Sequence, residues 1–216
     1  TLWLQASSGA SSFEGPYSVA HAGGEVGGRA ALAADPGCGS ASVCEPFKIE
    51  GPALISFSGG RTSGYMLHEI VQAHGGKLPS DILVTFANTG REMPQTLDFV
   101  QACGNQFGVG IVWLEFKDGE HGQRWQRVTY ETAARAGEPF DILLARKKFL
   151  PNVVARFCTQ ELKIRPMRDF ARSIGWDHWT NVVGLRADER YRVASIKASA
   201  ERERWDIAVP LATAGS

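Results

Sequence analysis

Ser58-Gly59-Gly60-Arg61-Thr62-Ser63 combines two adjacent glycines with three hydroxyl side chains and one guanidinium. Such a segment suits phosphate chemistry. Paired glycines let a backbone turn tightly and approach a ligand closely. Where a helix starts, its first N–H groups lack intrahelical partners and the helix dipole adds partial positive charge. Ser58, Thr62 and Ser63 would add hydroxyl donors, and Arg61 could add charge or point to solvent. The segment is not a Walker A loop, which needs G-x-x-x-x-G-K-[ST], and it is not G-x-G-x-x-G. A Gly-Gly turn capped by Thr62 or Ser63 would account for the hexapeptide alone equally well.

Three further polar segments bear on the choice. Asn88-Thr89-Gly90-Arg91-Glu92-Met93-Pro94-Gln95-Thr96 follows an apolar run, Arg156-Phe157-Cys158-Thr159-Gln160-Glu161-Leu162-Lys163-Ile164-Arg165-Pro166 leads into a helix, and Gly184-Leu185-Arg186-Ala187-Asp188-Glu189-Arg190-Tyr191-Arg192 follows another apolar run.

The elements that must position these segments can be read from periodicity. Ala53–Phe57 is a short apolar run and predicts a buried strand; 62–74 predicts a helix stopped by Gly75-Gly76. Strands are expected at 81–87, 111–116 and 181–185, and helices at 96–107, with Pro94 in its first turn, and at 161–173. Residues 117–157 predict one short helix near 128–136 within a long loop, and the tail from Ala187 reads as charged without clear elements. Alternating strands and helices predict an α/β fold, a parallel, doubly wound (Rossmann-like) sheet of about five strands with flanking helices. Loops after the strand C-termini share one edge of such a sheet, so the polar segments should converge on one crevice.

Composition sets the bounds. Residues 1–46 are Gly-, Ala- and Ser-rich and predict a disordered extension, with the domain running from 47 to 216. The formal net charge is zero, which gives no overall pull toward nucleic acid or membrane. The charge is uneven, with 6 Lys/Arg against 12 Asp/Glu in residues 1–120 and 17 against 11 in 121–216. A basic half could face a polyanionic ligand or could be solvated helix surface. Cys38, Cys44, Cys103 and Cys158 form no CxxC, which argues against a disulfide scaffold and for a reducing, cytoplasmic setting. No apolar run has the length of a membrane span, and the five histidines show no metal-ligand spacing. Trp113, Trp125, Trp176, Trp179 and Trp205 are expected in or beside the core, with base stacking by one of them as the alternative, and Arg146-Lys147-Lys148 is expected to be solvated or else to flank a nucleic acid or a sulfonucleotide.

Taken in order, SGGRTS, NTGREMPQT, CTQELKIRP and GLRADERYR resemble the phosphoadenosine phosphosulfate (PAPS) reductase family of the PP-loop, or adenine nucleotide alpha-hydrolase-like, superfamily. The resemblance covers residues 52–211. It implies that Ser58, Gly59, Gly60, Thr62 and Ser63, with Arg61 in the same loop, hold phosphates of an adenine nucleotide: PAPS, adenylyl sulfate, or ATP with Mg²⁺. It implies that Asn88, Thr89 and Gly90 border the ribose or adenine, and that Lys163, Arg165 and Arg186 contact phosphate or sulfate. Glu189 and Arg192 stay open between a helix-face pair and a ligand clamp.

Two departures stand out. Thr62 occupies a position where many PP-loop ATP pyrophosphatases have Asp, and the chain stops at Ser216 without the Glu-Cys-Gly-Ile-His-like segment of sulfonucleotide reductases, so the domain is expected to be C-terminally incomplete. Cys158 is then the remaining candidate for sulfur chemistry, against the alternative of a small packed residue. It is similar in position to a cysteine that helps bind an iron–sulfur cluster in some relatives, but a cluster needs several thiolates and is expected only if a longer chain supplies them. Three functions follow. One is reduction of an adenylyl sulfate with a thiol protein as reductant. The second is an ATP pyrophosphatase-type adenylation that delivers sulfur to nucleic acid. The third is nucleotide binding without catalysis. Metal ligands and oligomeric state are not indicated.

Overall fold

The computed structural model describes residues 45–152, 157–200 and 205–215. A turn of 3-10 helix at Glu45–Phe47 leads into the domain. The elements then run β1 (Ala53–Ser56), α1 (Arg61–Ala73), β2 (Ile82–Asn88), α2 (Pro94–Phe107), β3 (Ile111–Phe116), β4 (Trp125–Val128), α3 (Glu138–Lys147), α4 (Phe157–Thr159), a π turn (Gln160–Ile164), α5 (Arg165–Ser173), β5 (Trp179–Val183), α6 (Arg190–Ala200), β6 (Trp205–Ala208) and α7 (Pro210–Ala214). The expectation of disorder over 1–46 falls on residues outside those described, apart from Glu45 and Pro46 in the 3-10 turn.

The six strands form one sheet in the order β4-β3-β2-β1-β5-β6. Five run parallel, and β4 pairs antiparallel with β3 at the edge. The fold is the expected α/β sheet with one more strand and one reversed edge. Side chains alternate across a strand, and β1 shows what that achieves. Ala53, Ile55 and Phe57 enter the core with Met66, Leu67 and Ile70 of α1 and Leu97 and Val100 of α2. Leu54 faces the opposite core with Phe170 and Ala171 of α5, Trp179 and Trp205. Both faces of the sheet are therefore covered, as parallel sheets require.

The helix boundaries follow local chemistry. Gly75 and Gly76 take φ of 72° and 87° just past α1. Pro94 opens α2 and Gly108 closes it at φ 64°.

Residues 117–157 depart from expectation. There is no helix at 128–136; Trp125–Val128 is a strand, and a single turn follows in which Thr132 Oγ1 accepts from Thr129 N at 2.9 Å. The helix comes later. Gly137 (φ 102°) turns the chain, Pro139 sits in the first helical turn, Glu138 and Asp141 lie at the positive end, and Arg146 and Lys147 at the negative end. β4 was hard to see because Gln126 and Arg127 are exposed on an edge strand. The helix expected from Glu161 is already formed at Phe157, the first described residue of that segment, and contains a π turn that ends just before Pro166. A proline ring inside a helix collides with the carbonyl four residues back, and a widened turn relieves that. The strand expected at 181–185 runs from Trp179 to Val183, and the tail contains α6, β6 and α7.

Among the described residues no helix is long and apolar enough to cross a membrane. Trp113, Trp179 and Trp205 are buried, and Trp125 and Trp176 pack partly buried against the core.

Trp205 ties the tail to the sheet, its ring 5.4 Å from that of Trp179. Trp205→Ala is expected to lower the unfolding free energy by about 3–5 kcal/mol in a urea titration, because a large buried ring is replaced by a cavity. A change below about 1 kcal/mol would mean that the tail is not part of the cooperative unit.

Candidate functional site

The strand order reverses direction between β1 and β5. Loops leaving adjacent parallel strands on either side of such a point diverge and leave a crevice at their C-terminal ends. The Ser58–Ser63 loop leaves β1 there, and Gly184 leaves β5 beside it. The contact is close: a Cβ on Gly184 would lie 3.3 Å from Ser63 Cα.

The two glycines of the loop play different parts. Gly59 has φ +73°, and a Cβ there would meet Thr96 Cγ2 at 2.7 Å and Val100 Cγ2 at 3.0 Å. It is held against the start of α2 in a conformation that L side chains avoid. Gly60 is extended (φ −95°, ψ 161°) and is the N-cap of α1 without any side-chain cap hydrogen bond. A Cβ on Gly60 would find only Ser58 Oγ, at 3.6 Å. The helix start is thus uncapped and faces open space.

Capping by Thr62 or Ser63 is not observed. Ser63 is 2% exposed. Its hydroxyl donates to Gly60 O at 2.9 Å and accepts from Ser58 N at 3.3 Å, with Ser58 Oγ at 2.9 Å. Ser63 therefore braces the loop from within, while Ser58, Gly60 and Arg61 are exposed and Thr62 is half-buried.

Asn88, Thr89 and Gly90 form a second loop whose polar groups are largely engaged. Asn88 is fully buried; its Nδ2 donates to Glu115 Oε1 (2.7 Å) and Ala134 O (2.9 Å), and its Oδ1 accepts from Gly90 N (3.0 Å). Thr89 N and Oγ1 both donate to Glu92 Oε2 at 2.9 Å. A Cβ on Gly90 (φ +75°) would strike Pro139 and Gly137, so the loop rests on the start of α3.

The π turn carries the third group. Lys163 Nζ lies 3.5 Å from Glu92 Oε1, which joins this turn to the Asn88–Glu92 loop. Glu161 is buried and pairs with Lys147 at 2.6 Å and Arg165 at 2.7 Å. Burial alone would push its carboxyl up, but the two cations outweigh that and hold it below the usual value. Arg165 Nε is buried without a hydrogen-bond partner. Of the basic triplet at 146–148, Arg146 pairs with Asp118, Lys147 with Glu161, and Lys148 is exposed.

After β5, Arg186 is exposed and its Nε bonds Asp188 Oδ1 at 3.0 Å. That bond and the charge of Arg186 hold the Asp188 carboxyl low. Glu189 accepts from Arg186 N and pairs with Arg192, so these two form the helix-start pair.

Cys158 is half-buried and packs on Phe116, Leu143 and Leu162 with Phe140 and Phe157. Cys103 lies in the main core, where burial pushes its thiol up to about 11. Among the described residues no three His, Cys, Asp or Glu side chains gather as a metal site. An iron–sulfur cluster does not fit the described cysteines; Cys38, Cys44 and also Arg156 lie outside the described residues.

Glu92, Glu115 and Glu161 were given no role from sequence, and Lys147 only as part of the 146–148 basic cluster. Glu115 had a signal, an acid within the apolar run Ile111–Phe116.

The phosphoadenosine phosphosulfate reductase domain profile matches residues 52–212. The chain belongs to the phosphoadenosine phosphosulfate reductase family. It therefore has the PP-loop fold of the adenine nucleotide alpha-hydrolase-like superfamily. The relatives include an uncharacterized nin region protein of Escherichia phage lambda, 31% identical over 147 residues, 65% of this chain and 50% of that one. An uncharacterized protein of Methanocaldococcus jannaschii is 27% identical over 150 residues, 69% of this chain and 26% of that one. The chain spans half or less of the length of these curated relatives.

Two predictions follow from the geometry. Gly59→Ala is expected to cost about 2–4 kcal/mol by urea unfolding, from positive φ and crowding against α2 together. Gly60→Ala should stay within about 1 kcal/mol of the parent; equal losses would contradict the distinction. The depressed value of Glu161 means that the unfolded chain takes up its proton first. Its contribution is thus complete above its ordinary value of 4.5 and is lost as pH falls through the lower folded value. Stability measured across that window should fall with acid, and Glu161→Gln should flatten the slope; an unchanged slope would remove the role assigned to the two cations.

Proposed function

We propose that this domain binds an adenine nucleotide with its phosphates on the Ser58–Ser63 loop, and that the whole protein acts on an adenylyl sulfate. The observation that carries the reading is the uncapped start of α1 at the reversal point of the sheet, with open space at Gly60. Backbone N–H groups and the helix dipole favour an anion there. Family membership supports the nucleotide, and the cations Lys163, Arg165 and Arg186 on the flanking segments suit a polyanion. Glu92, Glu161 and Asp188 pair with those cations and would yield them to a ligand.

On this reading the chain is a domain of an oxidoreductase of sulfur metabolism in a reducing, cytoplasmic setting, with a thiol protein as reductant. Cys158 is the thiol nearest to the cationic π turn in sequence, and its half-exposure leaves it reachable. An ATP-using enzyme that passes sulfur to nucleic acid would instead bind Mg-ATP and release pyrophosphate. Nucleotide affinity without turnover of any of these compounds would mark a binding module.

Thermal shift with PAPS, adenylyl sulfate and Mg-ATP separates the readings, since a ligand that binds only the native state raises Tm. Adenylyl sulfate or PAPS is expected to raise Tm most. Gly60→Val fits the extended backbone and fills the open space, so it should keep the fold by circular dichroism and lose the shift. No shift with any of the three compounds, or a shift that survives Gly60→Val, would sink the loop assignment.

A further inference from the structure

Glu115, the penultimate residue of β3, is a buried acid, 2% exposed, whose partners are donors from three separate segments. Oε1 accepts from Asn88 Nδ2 at 2.7 Å and from Ala134 N at 2.7 Å; Oε2 accepts from Gln126 Nε2 at 3.3 Å. Burying a carboxylate is costly, and a position that only fills space is served better by an apolar side chain. An ionised carboxylate also has a property that an amide lacks, because it can only accept.

That property acts on Asn88. The Asn88 amide has a donor end and an acceptor end, and either could face either way. Glu115 Oε1 and Ala134 O are both acceptors and meet the donor end. The acceptor end is thereby turned to Gly90 N–H, which it holds at 3.0 Å. Gly90 sits at φ +75°, pressed on Gly137 and Pro139. Ala134 N, bonded to the same carboxylate oxygen, keeps the Ala134 carbonyl in place. Glu115 Oε1 thus orients the amide that sets the backbone of Asn88–Gly90 both directly and through the Ala134 peptide it holds.

We propose that Glu115 is a positioning residue for nucleotide binding: its acceptor-only carboxylate fixes the Asn88 amide and, through it, the Asn88–Gly90 backbone that receives the nucleoside part of the ligand. This rests on the reading of the site as nucleotide-binding. Glu115 does not touch the ligand. In Glu115→Gln the new amide can offer its NH₂ to Asn88. Asn88 can then turn over and release Gly90. Among the described residues the Ser58–Ser63 loop shares no hydrogen bond with this network and is left as it was.

The test compares adenylyl sulfate with inorganic pyrophosphate by calorimetric titration on the full chain, with Tm measured in parallel. Glu115→Gln is expected to weaken adenylyl sulfate about five- to tenfold while pyrophosphate stays within about twofold. Gln126→Ala removes only the exposed partner of Oε2. It should shift adenylyl sulfate in the same direction by a smaller factor at unchanged Tm. Unchanged affinity in Glu115→Gln, an equal loss for both ligands, or loss of the fold itself would overturn the proposal. If the parent protein binds no adenylyl sulfate, the nucleotide reading fails first and separately.

Discussion

The turn at Gly59 is held by two constraints at once, a left-handed backbone angle and a contact with Thr96 and Val100 that leaves no room for a side chain. The consequences spread outward. Gly60 follows in an extended conformation, and α1 begins at Arg61 without a side-chain cap, beside open space at Gly60. The Ser63 hydroxyl returns to Ser58 and Gly60 and closes the loop on itself. Gly184 packs on Ser63 from the neighbouring strand, so the crevice wall is set by backbone contact. A loop built this way is ordered by its own contacts, and any ligand it receives would meet a low ordering cost.

Electrostatics arrange the rest. The excess of positive charge in residues 121–216 is not spread over solvated helix faces alone. Lys147 and Arg165 converge on Glu161, Lys163 reaches Glu92, and Arg186 holds Asp188. Each cation has an acid that keeps it in place without a ligand. Glu161 is the buried member, and two opposite charges outweigh the penalty of its burial. The exposed pair of Arg186 and Asp188 is screened by water and contributes little to stability. It does hold the Arg186 guanidinium beside the end of β5.

The π turn shows how a local conflict serves the same end. Pro166 cannot be accommodated in a regular helix without displacing the carbonyl of the preceding turn. The widened segment Gln160–Ile164 absorbs it. Glu161, Lys163 and Arg165 come from this turn or its boundary, and so the charges that face the neighbouring loops sit where helical regularity is interrupted.

Much of this was legible from the chain alone. Four motifs in family order, the apolar runs at β1, β2 and β3, and the glycine and proline punctuation of α1 and α2 are local features, and local features determined the α/β class and the family. The edge strand β4 was not legible, because a half-exposed strand of four residues carries almost no periodicity. The helix at 138–147 was signalled by Gly137 and Pro139, but the reading stopped short of them. Asn88 shows the limit most clearly. Its sequence neighbours place it in a motif, yet its partners Glu115 and Ala134 lie far along the chain. Which of two chemically similar serines braces the loop and which faces the crevice was likewise decided by burial, with Ser63 inside and Ser58 outside. The sequence by itself determined the α/β class and the family, because those depend on residue type and short spacing. Only the tertiary structure decided which polar groups are free for a ligand, because that depends on hydrogen bonds and ion pairs between residues far apart in the chain.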